Sequence, residues 1–252
     1  MKKVFIDAGH NYSGWNTGAV GNGMREQDIT FEVAKLTGVH LSNAGFDVKL
    51  SRPTLETNLG QDNSSSINAR WQKSNTWGAD YFISIHVNAG GGTGAETLYH
   101  SEDSLEMATI MQNVYSKAMG LRNRRVWKRD DVGVLRWSSC PSILIELAFI
   151  DSLPPNPDVR ILREQRPQMA AAVAEGFLSY AQVDLGGGDV LPPERFNNLD
   201  EMPDWARPTI EKLLKSGFLR GDGQGLDLSL DMLRIFVVHD RAGVYDTIAV
   251  PI

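Results

Sequence analysis

Four residues of the 252-residue chain, His10, Glu26, His86 and Glu146, have types and settings that suit one chemical task. Each histidine ends an apolar run. In Val4-Phe5-Ile6-Asp7-Ala8-Gly9-His10 the apolar and β-branched positions favour a buried strand, and Ala8-Gly9 stops it with residues small enough for a close backbone approach. Ala79-Asp80-Tyr81-Phe82-Ile83-Ser84-Ile85-His86 repeats the design and leads into Asn88-Ala89 and the turn Gly90-Gly91-Gly92. At the same ends of parallel neighbours in one sheet the two imidazoles converge, which is what a metal site requires. For either one alone, a solvated loop histidine after a core strand is the plain alternative. Glu26 opens a segment of helical periodicity, where the helix dipole favours a carboxylate whether or not it has another task. Glu146 lies within residues 143–150, the most hydrophobic run of the chain. An unpaired ionised carboxylate is not tolerated there, so Glu146 must meet a cation, a hydrogen-bond network or water in a cleft.

Two strand-end histidines and two such glutamates fit zinc-assisted hydrolysis. A catalytic zinc takes three protein ligands, His, His and Glu being a recurrent set, and leaves a fourth position to water. The metal lowers the pKa of that water from about 15.7 to near 7 and polarises the attacked carbonyl. Glu146 is then spare to take the water's proton and hand one to the departing amine. The residues form no compact motif such as His-Glu-x-x-His, so this reading depends on the fold bringing them together.

The elements around them alternate. Helical spacing of apolar residues runs over 26–43, 67–76, 104–119 and 166–180, and strand-like segments lie at 46–50, 94–99, 132–136 and 143–150 besides the two histidine strands. Alternation of this kind makes an α/β domain with a largely parallel or mixed sheet. The glycines of residues 183–189 and Pro192-Pro193 mark a linker. Beyond it a small, mainly helical unit is expected, with helices over 203–215 and 232–238, the stop Ser216-Gly217 and a turn at Gly221-Asp222-Gly223. The expected organisation is thus residues 1–182, a linker at 183–194, and residues 195–252.

Composition removes several classes of function. A formal net charge of −6 argues against a nucleic-acid partner, and the basic run Arg122, Arg124, Arg125, Lys128 and Arg129, followed at once by Asp130 and Asp131, reads as a solvated loop. No run approaches the roughly 18 apolar residues of a membrane span, so no membrane insertion is expected. The single cysteine, Cys140, excludes an intramolecular disulfide framework and a Cys-based zinc cluster, and reads as a small buried filler. The basic start Met1-Lys2-Lys3 resembles a signal peptide, but Asp7 interrupts the apolar segment and no small-residue cleavage site follows, so no Sec signal is expected.

Several blocks, in order over residues 1–182, carry a resemblance: Asp7-Ala8-Gly9-His10, Gly18-Ala19, Glu26, Ser51-Arg52, Arg70 with Asn75, Ser84-Ile85-His86-Val87-Asn88-Ala89, Gly94 with Glu96, Val134-Leu135-Arg136 and Ile145-Glu146-Leu147-Ala148-Phe149-Ile150. They look like the zinc-dependent N-acetylmuramoyl-L-alanine amidases of the amidase-3 type. The resemblance implies a mixed sheet of about six strands flanked by helices, one Zn2+ bound by His10, Glu26 and His86, and Glu146 as catalytic acid/base. The bond cut would join the lactyl group of N-acetylmuramic acid to the L-alanine of the peptide stem in peptidoglycan. Asn88 and Arg136 are candidates for substrate binding, Arg136 toward a stem-peptide carboxylate or the transition state, with a structural ion pair as the alternative. Two departures stand out: the glycine pair usual after the first histidine is Asn11-Tyr12, with a longer loop bearing Trp15, and the usual glycine before Phe149 is Ala148.

The tail resembles a single S-layer-homology-like repeat, through Phe196-Asn197-Asn198-Leu199, Trp205-Ala206, Ile210-Glu211-Lys212-Leu213, Gly217-Phe218-Leu219, Gly221-Asp222-Gly223 and Arg234. Such repeats bind cell-wall polymers but commonly come in threes, and the acidic position after the arginine is Ile235-Phe236 here. A secondary wall polymer, a homodimer through the tail, and a mere packing appendage all stay open. The expected role is that of a phage or prophage endolysin, made in the cytoplasm without a Sec signal and acting at the bacterial wall after release. A host autolysin, a catalytically silent wall-binding module, and a zinc peptidase or deacylase are the alternatives.

Overall fold

A computed structural model describes residues 1–184, 195–221, 225–226, 228–241 and 245. Residues 185–194 of the expected linker, and Asp222 and Gly223 of the expected turn, lie outside the described residues. The chain divides into two compact units, Met1–Gly186 and Gly187–Ile252.

In the first unit β1 (Lys3–Ala8) is followed by a small hairpin, β2 (Val20–Gly21) with β3 (Met24–Arg25), and then by α1 (Glu26–Asn43), β4 (Asp47–Leu50) and α2 (Asn63–Trp77). The chain continues through β5 (Tyr81–Asn88), β6 (Ala95–Tyr99), α3 (Leu105–Ala118), β7 (Asn123–Lys128), α4 (Gly133–Arg136), β8 (Ser142–Phe149), α5 (Asp158–Glu164) and α6 (Arg166–Asp184). Six strands form one mixed sheet in the order β4-β1-β5-β8-β6-β7. All neighbours are parallel except β6 against β8. The expected α/β architecture is therefore present, and its central strands are apolar because both faces are covered.

One face packs Val4, Ile6, Ile83, Ile85, Ile143 and Ile145 against residues of α1, α3 and α6, among them Ile29, Met111 and Phe177. Phe177 sits edge-on to Phe46 and Tyr81, with ring centroids 5.3 and 5.2 Å away. The other face carries Phe5, Phe82, Leu98 and Leu144 beneath Val134, Leu135 and Ile67. Strand side chains alternate, so Asp7, Ser84, His86, Glu96 and Glu146 share this second face, nearer the ends where β1, β5 and β8 finish. Apolar packing thus gives way to polar chemistry along a single sheet surface.

The structure corrects some boundaries. Residues 132–136 hold the helical turn α4 instead of a strand, because the adjacent Val134 and Leu135 are both buried, which a half-exposed strand does not allow. The basic run is not a loop: it forms the edge strand β7, paired only with β6, where Arg124 and Val126 are half-buried and Arg125 takes a left-handed φ of 77° at a register shift. Helix α2 begins at Asn63, because Asp62 accepts the Ser65 N–H at 2.7 Å in a capping box. Helix α5 adds a segment with no counterpart in the sequence reading. Cys140 is half-buried, and burial pushes its thiol up to about 12.

The second unit contains β9 (Arg195–Phe196), α7 (Arg207–Lys215), β10 (Leu228–Ser229) and α8 (Leu230–Arg241), with β9 antiparallel to β10. Phe196, Met202, Ile210, Leu213, Leu228, Leu233 and Val237 form its own small core. Helix α7 starts later than expected, at Arg207, with a proline in its first turn.

Candidate metal centre

The site is built from the carboxyl ends of β1 and β5 and the first turn of α1. Gly9 makes the last ladder bond of β1, donating to Ile85 O at 3.0 Å, and His10 then turns left-handed with φ 65°. That conformation costs an L-residue about 1–2 kcal/mol. Gly9 is required for a different reason: a Cβ there would lie 2.6 Å from Cε1 and Nε2 of His86. Gly18 plays the same part beside Glu26, where a Cβ would lie 2.7 Å from both Cβ and Oε2 of the glutamate. Small residues let the site close.

Glu26 is 4% exposed and occupied on both oxygens. Its Oε2 accepts the Ala19 N–H at 2.9 Å, and its Oε1 accepts the Val87 N–H at 2.9 Å. The same Oε1 lies 3.1 Å from His10 Nε2 and 3.2 Å from His86 Nδ1. The two imidazole rings meet edge to face with centroids 4.7 Å apart. One ligand atom each from His10, Glu26 and His86 lies within 4.8 Å of the others. His10 Nδ1 is 3.2 Å from Asn16 Oδ1, a contact that leaves Nε2 facing Glu26 with its lone pair when Nδ1 carries the proton. Asn16 is itself held on α2, its N–H donating to Asn63 Oδ1 at 2.7 Å and its amide to Ser66 Oγ at 3.1 Å.

The electrostatics suit a cation. Burial alone would raise the Glu26 carboxyl, but hydrogen bonds and charge from His10 and His86 outweigh it and hold the group well below the usual range. Burial pushes His86 down against the pull of Glu26, which keeps its imidazole neutral and its lone pair free. Two imidazole nitrogens and one carboxylate oxygen at this separation are a donor set that zinc accepts.

Glu146 stands beside this set. It is the register partner of His86 on β5 and of Glu96 on β6. Burial first, then the charges of Glu26 and Glu96, push its carboxyl well above the ordinary value, against the weaker pull of Arg129. Its Oε2 is buried with no hydrogen-bond partner among the described residues.

The two remaining candidates fare differently. Asn88 lies two residues beyond His86, and its amide donates to Glu96 Oε1 at 2.8 Å. Glu96 Oε2 in turn accepts from Arg124 Nε at 2.8 Å, and the Arg124 guanidinium lies 4.9 Å over the Phe149 ring. Arg136 is exposed at the end of α4, stacked 5.2 Å over Trp137, and forms no ion pair among the described residues. Arg129 is the cation whose charge reaches Glu146. Sequence reasoning assigned no role to Asn16, Glu96 or Arg124. The block Gly94 with Glu96 in the family resemblance was the available signal for Glu96.

Comparison with known proteins gives a consistent set of relatives. The family model Amidase_3, described as N-acetylmuramoyl-L-alanine amidase, matches residues 4–179. The sporulation-specific N-acetylmuramoyl-L-alanine amidase of Bacillus subtilis (strain 168) is 36% identical over 157 residues, covering 61% of this chain and 58% of that protein. An endolysin of Bacillus phage SPP1 is 34% identical over 161 residues, covering 60% of this chain and 56% of its own. The chain therefore spans a little over half the length of these curated relatives. Among solved structures, N-acetylmuramoyl-L-alanine amidase AmiC2 of Nostoc punctiforme aligns with a TM-score of 0.62 at 28% identity, over 72% of this chain and 97% of that one.

Proposed function

The chain belongs to the Amidase_3 family of N-acetylmuramoyl-L-alanine amidases, and from that membership we propose that it hydrolyses the amide joining N-acetylmuramic acid to the L-alanine of the peptidoglycan stem, with one zinc ion held by His10, Glu26 and His86. The observation that carries the proposal is the convergence of those three donor atoms within 4.8 Å. Zinc bound there supplies Lewis acidity, polarising the scissile carbonyl and acidifying the attacking water. Glu146 accepts the proton of that water as its oxygen adds to the carbonyl carbon. It returns the proton to the alanine nitrogen as the C–N bond breaks, leaving a lactyl carboxylic acid and a free amine, which end as carboxylate and ammonium when the acid's proton passes to the amine. The unpartnered Oε2 of Glu146 and its raised proton affinity support both halves of this shuttle. Asn88, held by Glu96, is read as a substrate contact beside the centre, and Arg136, exposed at the end of α4, as a second candidate contact for a stem-peptide carboxylate.

Similarity to the phage SPP1 endolysin supports a phage or prophage lysis role at the cell wall. Similarity to the sporulation-specific amidase of Bacillus subtilis favours a second reading, a host autolysin of the same activity. No helix among the described residues is long and apolar enough to cross a membrane. Residues 1–182 are proposed as the catalytic domain and 195–252 as an S-layer-homology-like unit for wall polymer or self-association. The test is digestion of purified peptidoglycan by the zinc-loaded chain, following new amino-terminal alanine and reducing sugar separately. Alanine amino termini without reducing ends support the assignment. Reducing ends, or no bound zinc, overturn it.

A further inference from the structure

We propose that Arg70 and Arg52 are positioning residues for the metal centre: together they clamp the carbonyls around His10 and hold that ligand in the left-handed turn that aims its ring at Glu26 and His86. The inference rests on the reading of His10 as a zinc ligand. As β1 ends, the carbonyls of Ala8, Gly9 and His10 leave the sheet ladder and need new donors. Arg70, on α2, spans two of them with one planar fork: Nη1 donates to Ala8 O at 2.6 Å and Nη2 to His10 O at 2.6 Å. The same two nitrogens reach Asp7 Oδ1 at 2.6 Å and Asn11 Oδ1 at 3.1 Å. Arg52, from the loop after β4, donates through Nη1 to Gly9 O and His10 O, each at 3.3 Å, and to Gln27 O at 3.0 Å. Thr30 Oγ1 completes the set at Gly9 O, 2.8 Å away. The His10 carbonyl thus receives both guanidiniums.

The electrostatic cost of this arrangement points away from a purely structural role. Arg52 is 0% and Arg70 2% exposed, and the Nε of each lacks a partner among the described residues. Asp7 pairs with Arg70, whereas the hydrogen bonds of Arg52 among the described residues go to carbonyl oxygens and its guanidinium lies 5.2 Å over the Phe31 ring, with no carboxylate bonded to it. Burial, and then the charge of Arg70, lower the Arg52 pKa to about 10. Two buried cations behind a cation site also oppose the metal's charge. Apolar residues of similar volume would pack the region without that penalty. What they could not supply is a rigid fork that fixes the i and i+2 carbonyls of a strained turn, and a lysine, a point donor on a flexible stem, cannot supply it either.

The test uses the full chain and the variants Arg70→Lys and Arg52→Lys, with zinc affinity measured by chelator competition at 25 °C and folding of the metal-free proteins followed by circular dichroism. Arg70→Lys keeps a positive charge beside Asp7 but loses the fork. It is expected to remain folded and to bind zinc about 10- to 100-fold more weakly, as removal of supports behind metal ligands does. Cobalt substituted for zinc should show altered visible bands, a change in ligand geometry that lost stability alone does not produce. The stability control is Phe177→Ala, remote from His10, expected to lower the Tm and leave zinc affinity unchanged. Should Arg70→Lys fail to fold, Arg52→Lys decides, because Arg52 pairs with no buried carboxylate. Zinc affinity within twofold of wild type in a folded variant overturns the inference. Absence of zinc binding by the wild type would instead overturn the reading of the centre itself.

Discussion

His86 and Glu146 are register partners on the parallel strands β5 and β8, so the last donor of the metal set and a carboxyl whose buried Oε2 has no partner among the described residues are fixed by the same sheet. Neither depends on a loop for its place. The consequence is that Glu146 can be altered without moving the donors. Glu146→Gln keeps volume and polarity but cannot carry the proton, so turnover on peptidoglycan should fall by about 100- to 10,000-fold while bound zinc stays at the wild-type level. Release of amino-terminal alanine and metal analysis on the same preparation check this. Loss of zinc together with activity would place Glu146 among the ligands.

The same substitution has a pH signature in the metal-free protein. The folded-state pKa of Glu146 lies above its unfolded value of about 4.3. Between those values the native state binds more protons than the unfolded state, so this group makes stability fall as pH rises, starting near the unfolded pKa and levelling off at the folded one. Glu146→Gln removes that slope. Urea unfolding of both metal-free proteins from pH 4 to 8 should show little difference at the acid end and a growing advantage for the variant toward neutrality. A difference that does not change with pH would refute the raised proton affinity.

How much of this was legible beforehand depends on what each residue's signal was. His10, His86 and Glu146 announce themselves because a polar residue interrupts or ends a run of apolar strand positions. The mixed sheet follows from the same alternation. Residues 132–136 mislead because Val132, Val134 and Leu135 are apolar at a spacing that a helical turn and a short strand share. Strand β7 hides because its half-buried positions are only Arg124 and Val126, an arginine stem and one valine, and the backbone turns left-handed at Arg125 between them. Asn16, Arg52 and Arg70 act through loop and helix positions, where polar residues are ordinary and no period marks one as functional; Ser51-Arg52 and Arg70 stand out only as blocks of the family resemblance, which assigned them no role.

The two glycines that crowd the donors give a sharper prediction than any ligand substitution. In Gly18→Ala the new Cβ meets Glu26 at 2.7 Å, and in Gly9→Ala it meets the His86 ring at 2.6 Å and Ile85 O at 2.7 Å. Glu26 must therefore shift in the first, while the backbone contact in the second adds a strain of about 1–3 kcal/mol. Both variants should bind zinc more weakly, with Gly9→Ala also losing thermal stability in the metal-free state. Calorimetric zinc titration alongside thermal melts separates the two effects. Wild-type zinc affinity in either variant would show that the donor set tolerates displacement.

The division of the chain makes the last prediction. Met1–Gly186 contains both faces of the mixed sheet and every member of the candidate centre, and its core does not draw on the residues that form the core of the second unit. A chain ending after Gly186 should then keep the cooperative unfolding and zinc affinity of the full protein, and cleave small soluble muropeptides at the same rate. The second unit, the 66 residues Gly187–Ile252, is small for a large core, so any role beyond packing is to be sought in what it binds. If it takes wall polymer, sedimentation with intact cell walls should fall on truncation while turnover of soluble fragments is unchanged. If it joins two chains, light scattering should report a dimer for the full chain and a monomer after truncation. Equal wall binding and an unchanged number of chains per particle after truncation would reduce the second unit to a packing appendage.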